Sequence, residues 1–291
     1  MPTATTERSD SPSLGELVIL SDERAECSVV ISPSRGAIVT SFRVEERELL
    51  YMDEATLRDP TKNVRGGIPV LFPSPGKLEG DRFQRAGRSG SMKQHGFGRT
   101  EAWRVRSLDR DASSVTLELS SNDTTRAQFP WDFSAELTFS LDHTCLRIDF
   151  KLQNLDAAAL PFAVGFHPYF HVVDKAKTHV STDATQAFDN VAKRVVPFDE
   201  FDWSATELDL HLLDHSSPES MLEYADGSHL AVRASDEFSL WVVWSLRERD
   251  FICLEPWTAP GNALNTGERL IELAPGGTHE SFVEFDYTAD Y

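Results

Sequence analysis

The sequence predicts an all-β fold, a sandwich or barrel, on three observations. Short β-rich runs recur from Leu17 to Tyr287 with turn residues between them, no amphipathic helix of ten or more residues can be read, and neither a fixed-period repeat nor a composition break marks a linker. The 291 residues are 40% hydrophobic and 26% charged, an ordinary globular balance, and all-β architectures reach this length as one unit. The reading is therefore one domain over residues 14–291. The polar stretch Met1–Ser13, rich in Thr, Ser, Asp and Pro, reads as a disordered tail.

In chain order, the runs expected as strands are Val29–Ile31, Ala37–Val44, Leu49–Met52, Trp103–Leu108, Val115–Leu119, Phe133–Leu141, Leu146–Leu152 and Leu160–Phe166. They continue as Met221–Tyr224, Leu230–Arg233, Leu240–Trp244, Phe251–Leu254, Leu270–Leu273 and Ser281–Tyr287. A turn or two of helix is expected near Ala184–Val191 or Ala259–Leu264. The stretch Lys62–Arg99 breaks the pattern, because its many glycines and prolines are too much punctuation for regular strands. A loop this long inside a compact domain is usually functional.

Charge and cysteines bound the function. Twenty-eight Lys and Arg against 47 Asp and Glu give −19, which repels phosphate backbones and anionic lipid, so neither nucleic acid nor a membrane is expected as a partner. The stretch Lys62–Arg99 inverts this balance, with eight basic residues against Glu79 and Asp81, a local +6. Such a loop either binds an anionic substrate or pairs with nearby carboxylates. Cys27, Cys145 and Cys253 have no ligand-like or disulfide-framework spacing and read as buried free thiols. With no apolar leader and no window long enough to span a bilayer, the expectation is a cytoplasmic protein.

The chemistry concentrates in three places. Phe162–Phe170 is an apolar and aromatic run holding one titratable side chain, His167. Pro168 biases His167 to extended backbone, and strand alternation puts Gly165, His167 and Tyr169 on one face, with Val164, Phe166 and Pro168 on the other. The run is equally compatible with a core histidine whose ring is satisfied by backbone groups. A metal held by His167 and His171 is not expected, since four strand residues span about 13 Å. Phe251–Thr258 mirrors this stretch: an apolar run, then Glu255, then proline. One acid and one base facing a shared cleft would suit proton transfer. In the third place, Gln94-His95-Gly96-Phe97-Gly98-Arg99, glycines flank a histidine so that a ligand can come close. Trp241, Trp244 and Trp257 could stack on sugar faces, or be core. No nucleophile elbow, phosphate loop, dinucleotide fingerprint or His-Glu-x-x-His motif occurs, and nothing calls for a cofactor or metal.

Four motifs in order resemble the aldose 1-epimerases, the galactose mutarotase-like proteins. They are Arg65-Gly-Gly-Ile-Pro-Val-Leu-Phe-Pro, Gln94-His95-Gly-Phe-Gly-Arg99, Gly165-Phe-His167-Pro-Tyr-Phe and Leu254-Glu255-Pro-Trp-Thr. The resemblance runs from about Leu17 to Tyr287 and implies a galactose mutarotase-like β-supersandwich. It further implies that His167 is the general acid and Glu255 the general base of aldohexose mutarotation, with Arg65 and His95 holding sugar hydroxyls. Arg99, in the second motif, is carried as a binding candidate. The implied substrate is a small aldohexose or a hexose phosphate. The Gly-Gly-Ile-Pro and Gln-His-Gly-Phe-Gly-Arg forms are similar to the hexose-6-phosphate 1-epimerase branch, while His-Pro-Tyr-Phe is common among epimerases of free sugars. For an aspartate that contacts sugar hydroxyls in many members, Asp189 is the candidate here. A non-catalytic carbohydrate-binding protein using the same cleft is the alternative.

Overall fold

Three large sheets and two two-stranded ones, built from antiparallel neighbours, make up the computed structural model, which describes residues 2–290. A five-stranded sheet runs in chain order through Pro2–Arg8, Glu16–Asp22, Cys27–Ser32, Ile38–Val44 and Arg47–Glu48. An eight-stranded sheet is ordered His179–Val180, Glu219–Glu223, His229–Ala234, Thr278–Thr288, Cys145–Asn154, Phe133–Asp142, Ser114–Ser120, Arg104–Asp109. The third is ordered Arg194–Pro197, Gln186–Asp189, Glu207–Leu212, Leu240–Leu246, Phe251–Trp257, Gly165–Phe166, Val70–Leu71, with Tyr169–His171 also paired to Phe251–Trp257.

Period-two burial decides how the sheets meet. Along Phe133–Asp142, Phe133, Ala135, Leu137, Phe139 and Leu141 are buried while their neighbours are half-buried, so one face of the large sheet is core. The third sheet meets that core with Trp241, Val243, Ile252 and Leu254. Phe72 joins the glycine-rich stretch to the large sheet, its ring 5.3 Å from Phe133 and 5.6 Å from Phe150. Each such ring contributes about 1.5–3 kcal/mol by burial. The opposite face of the third sheet carries Leu240, Val242, Trp244, Glu255 and Trp257, and it lines a cavity.

Every residue run expected as a strand contains or borders strand structure, and the three α-helices, Glu54–Arg58, Asp123–Gln128 and Ala263–Thr266, are all short. Several expectations need correction. The stretch read as a disordered tail instead supplies Pro2–Arg8, paired in register with Glu16–Asp22. Its threonines are β-branched and its backbone groups find partners, so polarity did not prevent pairing. Residues 184–191 hold the strand Gln186–Asp189 rather than helix, and Leu49–Met52 gives only the bridges Leu50–Phe170 and Met52–Gly66. Inside the glycine-rich stretch, Arg82–Arg85 and Arg88–Ser91 form a hairpin, turned by Ala86 (φ 49°) and Gly87 (φ 75°). A two-residue turn with both φ positive matches the natural strand twist, which counting glycines could not reveal.

Candidate active site

Register assembles the cavity floor. On Phe251–Trp257 alternation turns Cys253, Glu255 and Trp257 to one side; across the ladder Trp244 faces Cys253, Val242 faces Glu255 and Leu240 faces Trp257. One strand further out, Asp209 lies opposite Trp244 and His211 opposite Val242. On the other side Gly165 pairs with Trp257. A side chain there could not fit, because a Cβ would lie 2.7 Å from Trp257 Cδ1. The glycine-rich stretch closes the wall with Arg65, Gly76, Lys77, Gln94, His95 and Arg99, around a volume of about 900 Å³.

His167 and Glu255 meet in this floor. Both are buried, and Nε2 of the imidazole lies 3.4 Å from Oε1 of the carboxyl. The Trp257 indole N–H donates to Glu255 Oε2 at 3.1 Å. His167 lies nearly parallel to the Tyr169 ring, with centroids 4.6 Å apart, and edge-on to Trp244. Among the described residues His167 Nδ1 is buried with no side-chain or backbone partner inside hydrogen-bond distance and angle. Burial, and then the Arg99 guanidinium, push His167 down to about 3. Burial, reinforced by Asp209, pushes Glu255 well above the usual carboxylate range. An apolar site thus resists charge on both partners, and the pair is suited to hold one proton between them.

His95 is fixed from the backbone. Its φ of +71° and the bond from Gly76 N–H to Nδ1 (3.1 Å) aim the ring inward. An Nδ1 that accepts leaves the proton on Nε2, and burial keeps the ring neutral by lowering its proton affinity. His95 Nε2 lies 3.1 Å from the Gln94 amide nitrogen, and the two side chains stand together at the cavity wall. Arg99 donates to the Gln94 carbonyl at 2.9 Å, and its Nε is buried without a partner. Arg65 is exposed at the cavity edge. Arg65 and Arg99 have no carboxylate within ion-pair distance among the described residues, whereas Arg85 binds Glu272 and Arg88 binds Asp156. The basic stretch therefore divides: part of it pairs with the acidic body and part faces the cavity.

Of the residues singled out from sequence, His167, Glu255, Arg65, His95 and Arg99 all line one cavity, with Trp244 and Trp257. Trp241 is core, against His215. Asp189 is not in the cavity: its carboxylate accepts from Val191 N–H at 2.9 Å and Ala192 N–H at 2.8 Å, which occupies it in shaping a turn. Asp209, by contrast, lines the cavity, with His211 Nε2 3.5 Å away. The signal was present in Glu207-Leu-Asp-Leu-His-Leu212, whose strict alternation puts Glu207, Asp209 and His211 on one face. His167, Glu255 and Cys253 also bring three ligand-type atoms within 4.8 Å of one another. The Cys253 thiol there is pushed well up by burial.

The aldose 1-epimerase family model matches residues 16–286. The LacX plasmid protein of Lactococcus lactis subsp. lactis is 25% identical over 237 residues, covering 70% of this chain and 78% of its own. An Escherichia coli K12 protein named "Putative glucose-6-phosphate 1-epimerase" is 29% identical over 182 residues, covering 60% of this chain and 55% of its own. The Slr1438 protein of Synechocystis sp. PCC 6803 has a solved structure that superposes with a TM-score of 0.93 at 33% identity, over 98% of this chain and 99% of that one. Galactose 1-epimerase from Lactobacillus acidophilus NCFM shares the fold, with a TM-score of 0.75 at 14% identity over the whole of both chains. The galactose mutarotase-like architecture expected from the motifs is the one observed.

Proposed function

The chain belongs to the aldose 1-epimerase family, a family of isomerases, and from that premise we propose that it interconverts the α and β anomers of an aldohexose. One observation carries the reading: a buried imidazole and a buried carboxyl, 3.4 Å apart, facing a cavity walled by neutral and cationic hydrogen-bond donors. Opening a pyranose ring takes a proton from the C1 hydroxyl and gives one to the ring oxygen. From the tautomer of the pair in which the shared proton sits on His167, Glu255 accepts the first and His167 supplies the second, leaving the aldehyde. After rotation about C1–C2, His167 takes the proton back from the C5 hydroxyl and Glu255 returns one to O1, now on the other face. The pair carries one proton throughout, so it ends each turnover as it began. Each positioned acid or base is worth about 10²–10⁴-fold. His95, Arg65 and Asp209 hold the hydroxyls around the ring. The test is polarimetric relaxation of freshly dissolved α-D-glucose and α-D-galactose with and without the protein; unchanged relaxation of these and of their 6-phosphates would reject the reading, and sugar binding without acceleration would favour the carbohydrate-binding alternative.

A second reading concerns the substrate's tail, and the unpaired Arg65 and Arg99 favour it. C6 hangs from C5, which bears the ring oxygen, so a group on C6 lies beside whichever side chain protonates that oxygen. Arg99 and Arg65 are the cations that act on His167. A 6-phosphate there would gain charge-assisted, bidentate hydrogen bonds, and the carboxylates beyond about 8 Å would be screened at physiological salt. The glucose-6-phosphate in the name of the Escherichia coli relative agrees with this chemistry. The ratio of kcat/KM for glucose 6-phosphate over glucose, at two salt concentrations, decides it: a preference that weakens with salt supports a phosphate site, and equal or better turnover of glucose removes it.

A further inference from the structure

Asp209 does not stand alone at the cavity edge. Asn190 Nδ2 donates to Asp209 Oδ2 at 2.7 Å, and Lys193 Nζ donates to Asn190 Oδ1 at 2.6 Å. The backbone repeats the link, with Asn190 N–H bonded to the Asp209 carbonyl at 2.8 Å. The four-residue turn Asn190–Lys193 joins the strands Gln186–Asp189 and Arg194–Pro197, and Asp189 caps it through Val191 and Ala192. Lys193 closes the turn at φ 55°. Both Asn190 and Lys193 line the cavity, although the side chain of Lys193 is exposed.

We propose that Asn190 and Lys193 are positioning residues that hold the Asp209 carboxylate toward the His167–Glu255 pair, an assignment that rests on the reading of that pair as the acid and base. An amide donates through nitrogen and accepts through oxygen. Lysine on the oxygen therefore fixes which end of Asn190 meets Asp209. With Oδ2 held by Asn190, Oδ1 is left beside His211. The groups facing Glu255 are His167, Asp209, Arg99, Tyr169 and Cys253; those facing Asp209 are His211, Glu207, Trp244 and the relay itself. Releasing Asp209 removes a negative charge from beside Glu255, which then gives up its proton more easily.

The test follows the Glu255 carboxyl directly, by ¹³C NMR titration of glutamate-labelled full-length protein, with Glu255→Gln assigning the resonance. In Asn190→Leu the midpoint is expected to fall by about one pH unit, and in Lys193→Met by less in the same direction. Lys193→Arg, which keeps a donor, restores the wild-type midpoint. Lys193→Met changes only an exposed side chain and carries the test if Asn190→Leu does not fold. The kcat/KM profile for anomer exchange should shift by the same amount. Midpoints unmoved in both variants would overturn the relay, even if activity fell. Midpoints that move in a protein that never accelerates anomer exchange would leave the relay standing and reject the catalytic reading.

Discussion

Replacing His167 by Asn should make the protein resist acid better, although it removes the proposed proton donor. The unfolded chain binds a proton on His167 near 6.5, whereas the folded site binds one only at about 3, because burial and Arg99 oppose the imidazolium. A depressed folded value means stability that is present above 6.5 and lost as pH falls from there toward 3. From about pH 7.5 to about pH 5, this one residue therefore costs about 2 kcal/mol, and about 4 kcal/mol by pH 3. The buried His95 and His215 and the half-buried His279 are also held down and set a common background. The difference between proteins isolates His167. Urea unfolding of wild type and His167→Asn at about pH 7.5 and about pH 5 should show the variant losing about 2 kcal/mol less across the interval. Parallel losses in the two proteins would refute the argument that burial suppresses the charge on His167.

Glu255→Gln should move the other way: a carboxyl held well above its usual range contributes stability that is lost as pH rises through its folded value, so the amide should gain on wild type most at alkaline pH, by the same urea titration. The kcat/KM profile should be bell-shaped, with an acid limb well below the 6.5 of an ordinary imidazole, since activity ends only when the pair gains a second proton; an acid limb at 6.5 contradicts a single shared proton. Gly165→Ala should cost about 1–3 kcal/mol by overpacking against Trp257 and slow turnover by displacing the indole that donates to Glu255, whereas wild-type stability would show that the floor yields. Asp209→Asn should lower kcat/KM by about 10-fold or more while Asp189→Asn changes it little, because only the first faces the cavity; the reverse order would restore Asp189 as the sugar contact.

What the sequence made legible followed from local rules. His167 and Glu255 each interrupt an apolar strand just before or within a proline step, and alternation then fixed the face they share; the 8° stacking of His167 on Tyr169 is that alternation realised. Asp209 escaped because it belongs to an ordinary alternating strand, where a polar face looks like a solvated one until a second strand ladder sets it opposite Trp244 at the cavity. Pro2–Arg8 escaped for the opposite reason: Thr5–Arg8 are exposed, and the strand's order comes from backbone pairing with Glu16–Asp22, which the polar composition of the stretch does not announce. The charge inversion of Lys62–Arg99 was visible, but its division was not. Only packing shows that Arg85 and Arg88 reach Glu272 and Asp156 while Arg65 and Arg99 turn to the cavity.

The central claim is that one proton held between His167 and Glu255 opens and closes the sugar ring, and magnetisation exchange between the α and β anomeric protons at equilibrium tests it most directly. With glucose, galactose and their 6-phosphates, wild-type protein should produce exchange that grows in proportion to its concentration for at least one sugar. His167→Asn and Glu255→Gln should each reduce it by about 10²-fold or more. Exchange at the wild-type rate in either variant would contradict the account.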